Sequence, residues 1–422
     1  MAVRDGCLRR WPATAACDGR GFRLESVETD PWLSPGYPGM LVGMKYRSFG
    51  KLGIQVSALG FGAMRLPTRG SEAEVDQELA VSMMRTAFDA GVNYVDTAYG
   101  YHGGNSELVV ARALRHGYRD KVHLATKMPI WLVKTAGDFD RFLDEQLRKL
   151  DSERIDFYLL HNLQRHSWPK IRDLGVARWS EKAREDGRIG WFGFSFHDSY
   201  EVLRGILDDH PEWSFCQIQY NYLNEEIQAG TRGLELAAGR GLAVVVMEPL
   251  LGGSLADPPQ AVRKVLASAD PDRTPADWAL QWLWSKPEVS LVLSGMSAMK
   301  QVEQNLASAR ASAVGSLSAN ELATIRRAQE AYWKYCPVPC TRCGYCLPCP
   351  QGVDIPKNFE LYNDALVLGR NSARLNRNLY AQLEAERRAE QCVQCRECEE
   401  KCPQSIPISE WMPKVHEALS KP

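Results

Sequence analysis

The chain has 422 residues, 45% of them hydrophobic and 24% charged, and 51 Lys and Arg against 52 Asp and Glu leave a formal net charge of -1. That length suits one large domain with a smaller companion, and the profile excludes overall disorder. The balanced charge gives no general attraction to nucleic acid or anionic membrane, and no run approaches the roughly 20 apolar residues of a membrane-spanning helix. A soluble protein with neither nucleic-acid nor membrane partners is expected.

Residues 1–43 are rich in Gly, Pro and Arg and carry no helical or strand period. They read as a disordered leader, or as an over-read of a start that lies at Met44. Arg9–Arg10 and the small residues before Cys17 faintly resemble export signals, but no apolar segment accompanies either.

From Val56 onward, short β-rich apolar runs recur: VSALGFGA (56–63), VNYVDTA (92–98), VHLATKM (122–128), IDFYLLH (155–161), IGWFGFSF (189–196), FCQIQYN (215–221), LAVVVMEP (242–249) and VSLVLSGM (289–296). Helix-period segments lie between them. One is predicted to open on the capping-box pair Ser71 and Glu74 and to end before Gly91. Another carries Phe139, Leu143, Leu147 and Leu150 on one face. Strands apolar on both faces and alternating with helices suit a parallel sheet. The span fits the roughly 250 residues of a (β/α)8 TIM barrel, with a doubly wound open sheet as the competing arrangement. A further helical stretch at about 319–333 precedes a change of composition.

In a β/α barrel, chemistry gathers at the C-terminal strand ends. The second run leads into DTAYGYHGGNSE, with Asp96 and Tyr101; the third ends in ATKMP, with Lys127; the fourth ends in LLHN, with His161. Singly, these are a strand-end cap, a solvated Lys and an ordinary hydrogen-bonding His. On successive strands at one rim they form a proton-donating set. A free phenol, with a pKa near ~10, donates poorly at neutral pH. A neighbouring ammonium favours the phenolate, a carboxylate keeps that ammonium charged, and an imidazole beside them orients a carbonyl oxygen.

The order RSFGKLGIQVSALGFGAM, DTAYGYHGGNSE, ATK, LLHN, GFSFHD, QIQYN, MEPLLGG and LSGMSAMKQVEQN resembles the aldo-keto reductase family over residues 44–310. The resemblance implies a β/α barrel that binds NADPH or NADH in extended form without a Gly-rich Rossmann loop. It implies Tyr101 as general acid, Lys127 and Asp96 as its tuning pair, and His161 as substrate orienter. By the same resemblance Ser195 and Gln217 hold the nicotinamide carboxamide and Gly62 lies beneath the cofactor. Ser294, Gly295 and Asn305 fall where phosphates and adenine are held. Three positions depart from the family pattern: Phe196 replaces a carboxamide-binding Asn, Met247 an aromatic that stacks on nicotinamide, and Gln301, beside Lys300, an Arg on the 2′-phosphate. The choice between NADPH and NADH stays open on these residues, with a slight lean to NADPH.

Nine of the twelve cysteines lie between Cys336 and Cys402. Tight C-x-x-C spacing in a large chain suggests thiolates held for metal in a reducing cytoplasm rather than disulfide staples. Cys392, Cys395, Cys398, Cys402 and Pro403 follow the bacterial ferredoxin spacing for a 4Fe-4S cluster. Cys340, Cys343, Cys346, Cys349 and Pro350 nearly repeat it, with two residues rather than three before the last thiol. Two 4Fe-4S clusters are expected, each taking its fourth thiol from the other motif: Cys340, Cys343 and Cys346 with Cys402, and Cys392, Cys395 and Cys398 with Cys349. Cys336 is an available substitute for Cys349, and zinc is the plainer alternative for the whole set. The expected organisation is a barrel over 44–333 followed by a small, mainly helical ferredoxin-like iron–sulfur domain over 334–422, with a charged helix near 372–390.

Hydride transfer moves two electrons and each cluster passes one, so coupling between the halves normally needs a flavin, for which no motif is evident. The leading expectation is an NAD(P)H-dependent enzyme interconverting a small-molecule carbonyl compound and its alcohol, its clusters serving as structure or electron relay. The alternative is a ferredoxin-linked electron-transfer or redox-sensing protein that uses the barrel as a platform, with a redox partner protein.

Overall fold

In the computed structural model the described residues are 43–421, apart from Pro211, Cys336 and Leu368. The expectations for the leader and for Cys336 as a substitute ligand therefore fall outside the described residues.

Ten strands form among the described residues. β1 (Tyr46–Ser48) and β2 (Gln55–Ser57) make an antiparallel hairpin, with Tyr46 opposite Ser57. The barrel strands are β3 (Leu59–Gly62), β4 (Tyr94–Asp96), β5 (His123–Met128), β6 (Ile155–Leu163), β7 (Ile189–Phe196), β8 (Phe215–Gln219), β9 (Ala243–Met247) and β10 (Leu291–Gly295). They close in sequence order, each parallel to its neighbours, with β10 pairing back to β3. The run at 56–63 is thus two elements rather than one. Its first residues pair with β1, and only Leu59–Gly62 enter the barrel.

The hairpin seals the N-terminal end. Phe49, Ile54 and Val56 pack with Tyr94, Phe157, Phe215 and Leu291 inside the barrel floor, and Phe49 is fully buried with its ring 4.7 Å from that of Phe157. Burying such a ring is worth about 2–3 kcal/mol. At the hairpin turn Gly50 takes φ +56, and a Cβ there would stand 2.4 Å from the Ala243 backbone nitrogen, so only glycine lets the plug seat.

Between barrel and helices lies the main core. Helix Gly137–Leu150 buries Phe139, Leu143 and Leu150 as its period predicts, with Leu147 partly buried. The first barrel helix differs from expectation. It spans Gln77–Asp89, and its N-cap is Asp76, whose carboxylate accepts from the Leu79 N–H. Ser71 and Glu74 instead close a turn, the Glu74 carboxylate accepting from the Ser71 N–H at 3.2 Å. Asp76 wins the cap because Arg69 grips it through two 2.9 Å hydrogen bonds.

Helix Ala319–Tyr335 docks on the barrel through Arg273, which reaches Glu321 at 2.8 Å. The C-terminal region carries helices Ile355–Val367, Gly369–Gln382, Glu397–Lys401 and Ile408–Ser420, with no strand among its described residues. Its own small core joins Val338, Ile355, Phe359, Tyr380, Ile406 and Met412 to Cys346 and Cys398. The charged middle forms a helix only to Gln382, then two short 3-10 turns.

Candidate functional site

Strand β4 delivers Asp96 and strand β5 delivers Lys127 to the same C-terminal rim. The Lys127 ammonium donates to Asp96 Oδ1 at 2.5 Å, to the Thr97 carbonyl at 2.8 Å and to the Tyr101 hydroxyl at 3.3 Å. Lys127 is 1% exposed and Asp96 3%. Burial pushes the carboxyl up and the ammonium down, and the attraction between them opposes both shifts.

Tyr101 arrives on a turn that the sequence builds tightly. His102 (φ +53) and Gly103 (φ +63) reverse the chain. The buried His102 ring then locks the turn, accepting from the Leu66 N–H at 3.2 Å and meeting the Glu72 carbonyl at 2.7 Å. Behind β5, the Gln146 amide donates to the Lys127 carbonyl and to the buried Glu107 carboxylate. Glu107 closes the DTAYGYHGGNSE run, whereas Gln146 comes from the following helix and from no quoted motif.

The His161 ring stands edge-on to Tyr101, with centroids 5.7 Å apart. Burial, then the charges of Lys127 and His197, push its pKa well below 6.5, so the imidazole is neutral. Burial raises the Tyr101 phenol well above 10, and the carboxylates of Asp96 and Glu248 raise it further. The one group that lowers it is the Arg65 guanidinium. Desolvation and two carboxyl groups outweigh it, and Tyr101 rests protonated.

The other positions fall around the same mouth. Ser195 and Gln217 are direct partners across β7 and β8. Ser195 Oγ accepts from the Asn162 N–H at 2.8 Å, which leaves its own hydrogen free to donate. Gln217 Nε2 rests 3.7 Å from the Met247 sulfur, and its Oε1 has no partner. Gly62 faces β10, where a Cβ would lie 3.3 Å from the Ser294 carbonyl. Asn305 donates to Ser294 Oγ at 2.9 Å, Gln301 accepts from the Ser297 N–H at 2.8 Å, and Gly295 and Lys300 lie on the same loop and helix start. Buried polar atoms without partners cluster here: Asp96 Oδ2, His161 Nδ1, Gln217 Oε1 and Glu248 Oε2. Of these, an amide N–H could donate to Gln217 Oε1, and His161 can donate from a ring nitrogen to a carbonyl oxygen.

The cysteines gather in two sets. Cys340, Cys343, Cys346 and Cys402 line one cavity with Ile355, Phe359 and Ile406. Cys349 lies within electrostatic reach of Cys392 and Cys398. The two motifs share one backbone trace. Arg342 and Gly344 flank Cys343 with positive φ, as Gln394 and Arg396 flank Cys395. Each trace turns a backbone N–H onto a sulfur, Arg342 onto Cys340 and Gln394 onto Cys392. Burial pushes Cys340 up to about 12 and Cys343 up to about 11, so thiolates here require a cation. Among the described residues no three His, Cys, Asp or Glu side chains converge as a single-ion site.

The cysteine region caps the barrel's C-terminal mouth, a placement no motif announced. Gln219 of β8 and Gln404, two residues after Cys402, exchange hydrogen bonds of 2.8 and 2.6 Å. Gln404 also accepts from Asn224 at 3.2 Å, and Gln228 donates to Gln219 at 2.8 Å and to the Pro403 carbonyl. Gly252 (φ +63) abuts Thr341, and Arg65 donates to the Thr341 carbonyl at 3.4 Å.

Sequence profiles agree with this architecture: that of the aldo/keto reductase family matches residues 58–330. The chain belongs to the aldo/keto reductase family. A 4Fe-4S dicluster domain profile matches residues 339–406 of this aldo/keto reductase. L-galactose dehydrogenase of Arabidopsis thaliana is 27% identical over 287 residues, 63% of this chain and 88% of that protein. The NADH-specific methylglyoxal reductase of Escherichia coli is 25% identical over 308 residues, 63% of this chain and 93% of the relative. A Klebsiella pneumoniae aldo-keto reductase solved in complex with NADPH superposes with TM-score 0.56 at 26% identity, covering 67% of this chain and 94% of that one. The reductase is an oxidoreductase by family, and no helix among its described residues is long and apolar enough to cross a membrane.

Proposed function

We propose that this aldo/keto reductase reduces a small-molecule carbonyl compound to its alcohol with NADPH, or runs the reverse, using Tyr101 as proton donor. The observation that carries the reading is the buried Lys127 ammonium, held 2.5 Å from Asp96 and 3.3 Å from the Tyr101 hydroxyl. When bound, the nicotinamide supplies the hydride. The chain supplies the rest. Neutral His161 donates a hydrogen bond that holds the carbonyl oxygen beside Tyr101, and Tyr101 Oη gives up its proton to that oxygen. Lys127 stabilises the phenolate left behind, and Asp96 keeps Lys127 charged. Ser195 and Gln217 hold the carboxamide, Gly62 and Met247 border the ring, and the loop of Ser294 and Gly295 with Lys300, Gln301 and Asn305 takes the phosphates and adenine.

In this reading the barrel spans 44–333 and the iron–sulfur domain 334–422. Two 4Fe-4S clusters are held, one by Cys340, Cys343, Cys346 and Cys402 and one by Cys349, Cys392, Cys395 and Cys398, in a reducing cytoplasm. The decisive test is Tyr101→Phe. Carbonyl reduction is expected to fall by about 10²–10⁴-fold while NADPH binding and iron content persist; full-speed turnover of every accepted carbonyl would end the proposal.

A second reading, electron exchange between clusters and barrel, draws on one observation. Cys343 and Cys402 both lie within electrostatic reach of Glu248 at the barrel mouth. Anaerobic cluster reduction by NADPH alone would support it, and a cluster that stays oxidised under excess NADPH would remove it.

A further inference from the structure

One side chain of the cysteine region stands at the barrel mouth beside the rim residues. Tyr345 sits in the loop Cys343–Cys346, between two thiols of the first set, where Gly344 takes φ +79. Its ring centroid lies 6.5 Å from that of His197, the residue after β7, and the phenol is within electrostatic reach of Tyr101 and Glu248. The neighbouring backbone is held at the mouth by the Gly252–Thr341 contact and by Arg65. Trp131, 51% exposed, brings its ring to 5.2 Å from His161.

Five rings therefore gather at this mouth in paired contacts: Trp131 on His161, His161 on Tyr101, and Tyr345 on His197. Both imidazoles are held neutral by burial, and the nearest ammonium, Lys127, is already matched by Asp96. The Arg65 guanidinium is also within electrostatic reach of Tyr101 and Tyr345, but it faces the buried Glu248 carboxyl, so both cations at this wall already have an acidic partner and neither is left unmatched for a carboxylate or phosphate on the substrate. Flat, uncharged faces stack best on such a wall.

We propose that Tyr345 is a specificity-determining residue of the carbonyl pocket, the iron–sulfur domain thereby supplying one wall of the barrel's substrate site, and that the pocket takes neutral aryl carbonyl compounds. The proposal rests on the carbonyl-reductase reading above. The experiment is titration of the cluster-loaded protein, saturated with NADP⁺, with acetophenone and with 2-butanone. Neither ketone turns over against the oxidised cofactor, so binding is read without chemistry. Wild type is expected to bind acetophenone more tightly than 2-butanone. Tyr345→Ala should weaken acetophenone by about tenfold, about 1.4 kcal/mol, and leave 2-butanone, NADP⁺ affinity and iron content unchanged, while Tyr345→Phe retains wild-type binding. Equal binding of the two ketones by wild type, or unchanged acetophenone binding in Tyr345→Ala, overturns the proposal. Failure of the underlying reading looks different: wild type then binds no NADP⁺, or Tyr101→Phe reduces carbonyls at full rate.

Discussion

Lys127→Met is the perturbation that tests the proton-donating set most directly. In the proposed reaction the Tyr101 phenolate forms 3.3 Å from the Lys127 ammonium. With an effective dielectric near ~20, that attraction is about 5 kcal/mol, and about 1.4 kcal/mol is a tenfold change in rate. The full term would slow the reaction by more than a thousandfold; residual stabilisation by His161 and cofactor brings the expectation to about 10³-fold. The change also strands Asp96, 3% exposed, and losing one member of a buried pair costs about 3–5 kcal/mol of stability. The two effects separate in Lys127→Met with Asp96→Asn, which removes both charges. Stability then returns most of the way and the rate does not. Single-turnover NADPH oxidation in H2O and D2O reads the chemistry, because slowed proton donation enlarges the solvent isotope effect. A Lys127→Met enzyme within tenfold of wild type, or a double variant that regains activity with stability, would refute the argument.

Gln404→Ala should lower the urea midpoint by an amount corresponding to about 1–3 kcal/mol, because it leaves the amide nitrogen of buried Gln219, 1% exposed, without its acceptor; an unchanged midpoint would show that the seam contributes no stability. His197 provides a pH test. Burial holds its pKa to about 4 against an unfolded value near ~6.5. The native state therefore refuses a proton that the unfolded state accepts, and the stability this residue contributes is complete above pH ~6.5 and lost as pH falls toward 4. Relative to His197→Asn, wild type should lose on the order of 2 kcal/mol between pH ~6.5 and 5. A stability difference that stays flat over that range would contradict the assignment.

The barrel was legible because its strands are apolar on both faces and its rim residues sit at strand ends, where period and position coincide. Asp96, Lys127 and His161 come from three consecutive strands, so sequence order alone carries them to one rim. The division of 56–63 was not legible, since Val56 and Leu59 are equally apolar and only tertiary contact assigns one to the plug and the other to the barrel. The Ser71–Glu74 pair satisfied a capping pattern, but Arg69 made Asp76 the better cap. Glu248, Trp131, His197 and Tyr345 stood inside or beside quoted motifs without any signal of their own. What makes them notable is convergence from β5, β7, β9 and a cysteine loop, and no spacing encodes that. Glu248 did leave a trace in its backbone: a non-glycine at φ +52 directly after β9 is the kind of strained rim residue that marks a functional mouth.

The seam between the halves bears on why an iron–sulfur module accompanies hydride chemistry that does not need one. In the proposed reaction, proton donation by Tyr101 and hydride supply by nicotinamide complete a two-electron reduction without any one-electron carrier. Yet the cysteine region does not hang free. Gln404 reaches from the Cys402 loop into the barrel to grip Gln219, whose strand also carries Gln217, and Thr341 from the Cys340 loop presses on Gly252. Those contacts are made by residues adjacent to thiols of the first set, so the geometry that seats a cluster and the geometry that roofs the barrel are one arrangement of backbone. The second set stands apart from the mouth, with Cys395 exposed. A module retained for electron relay alone would need the exposed set and a path inward. A module retained as a roof needs only the inner set, and the burial of Gln219, Asn224 and Gln404 at the seam falls on that inner set.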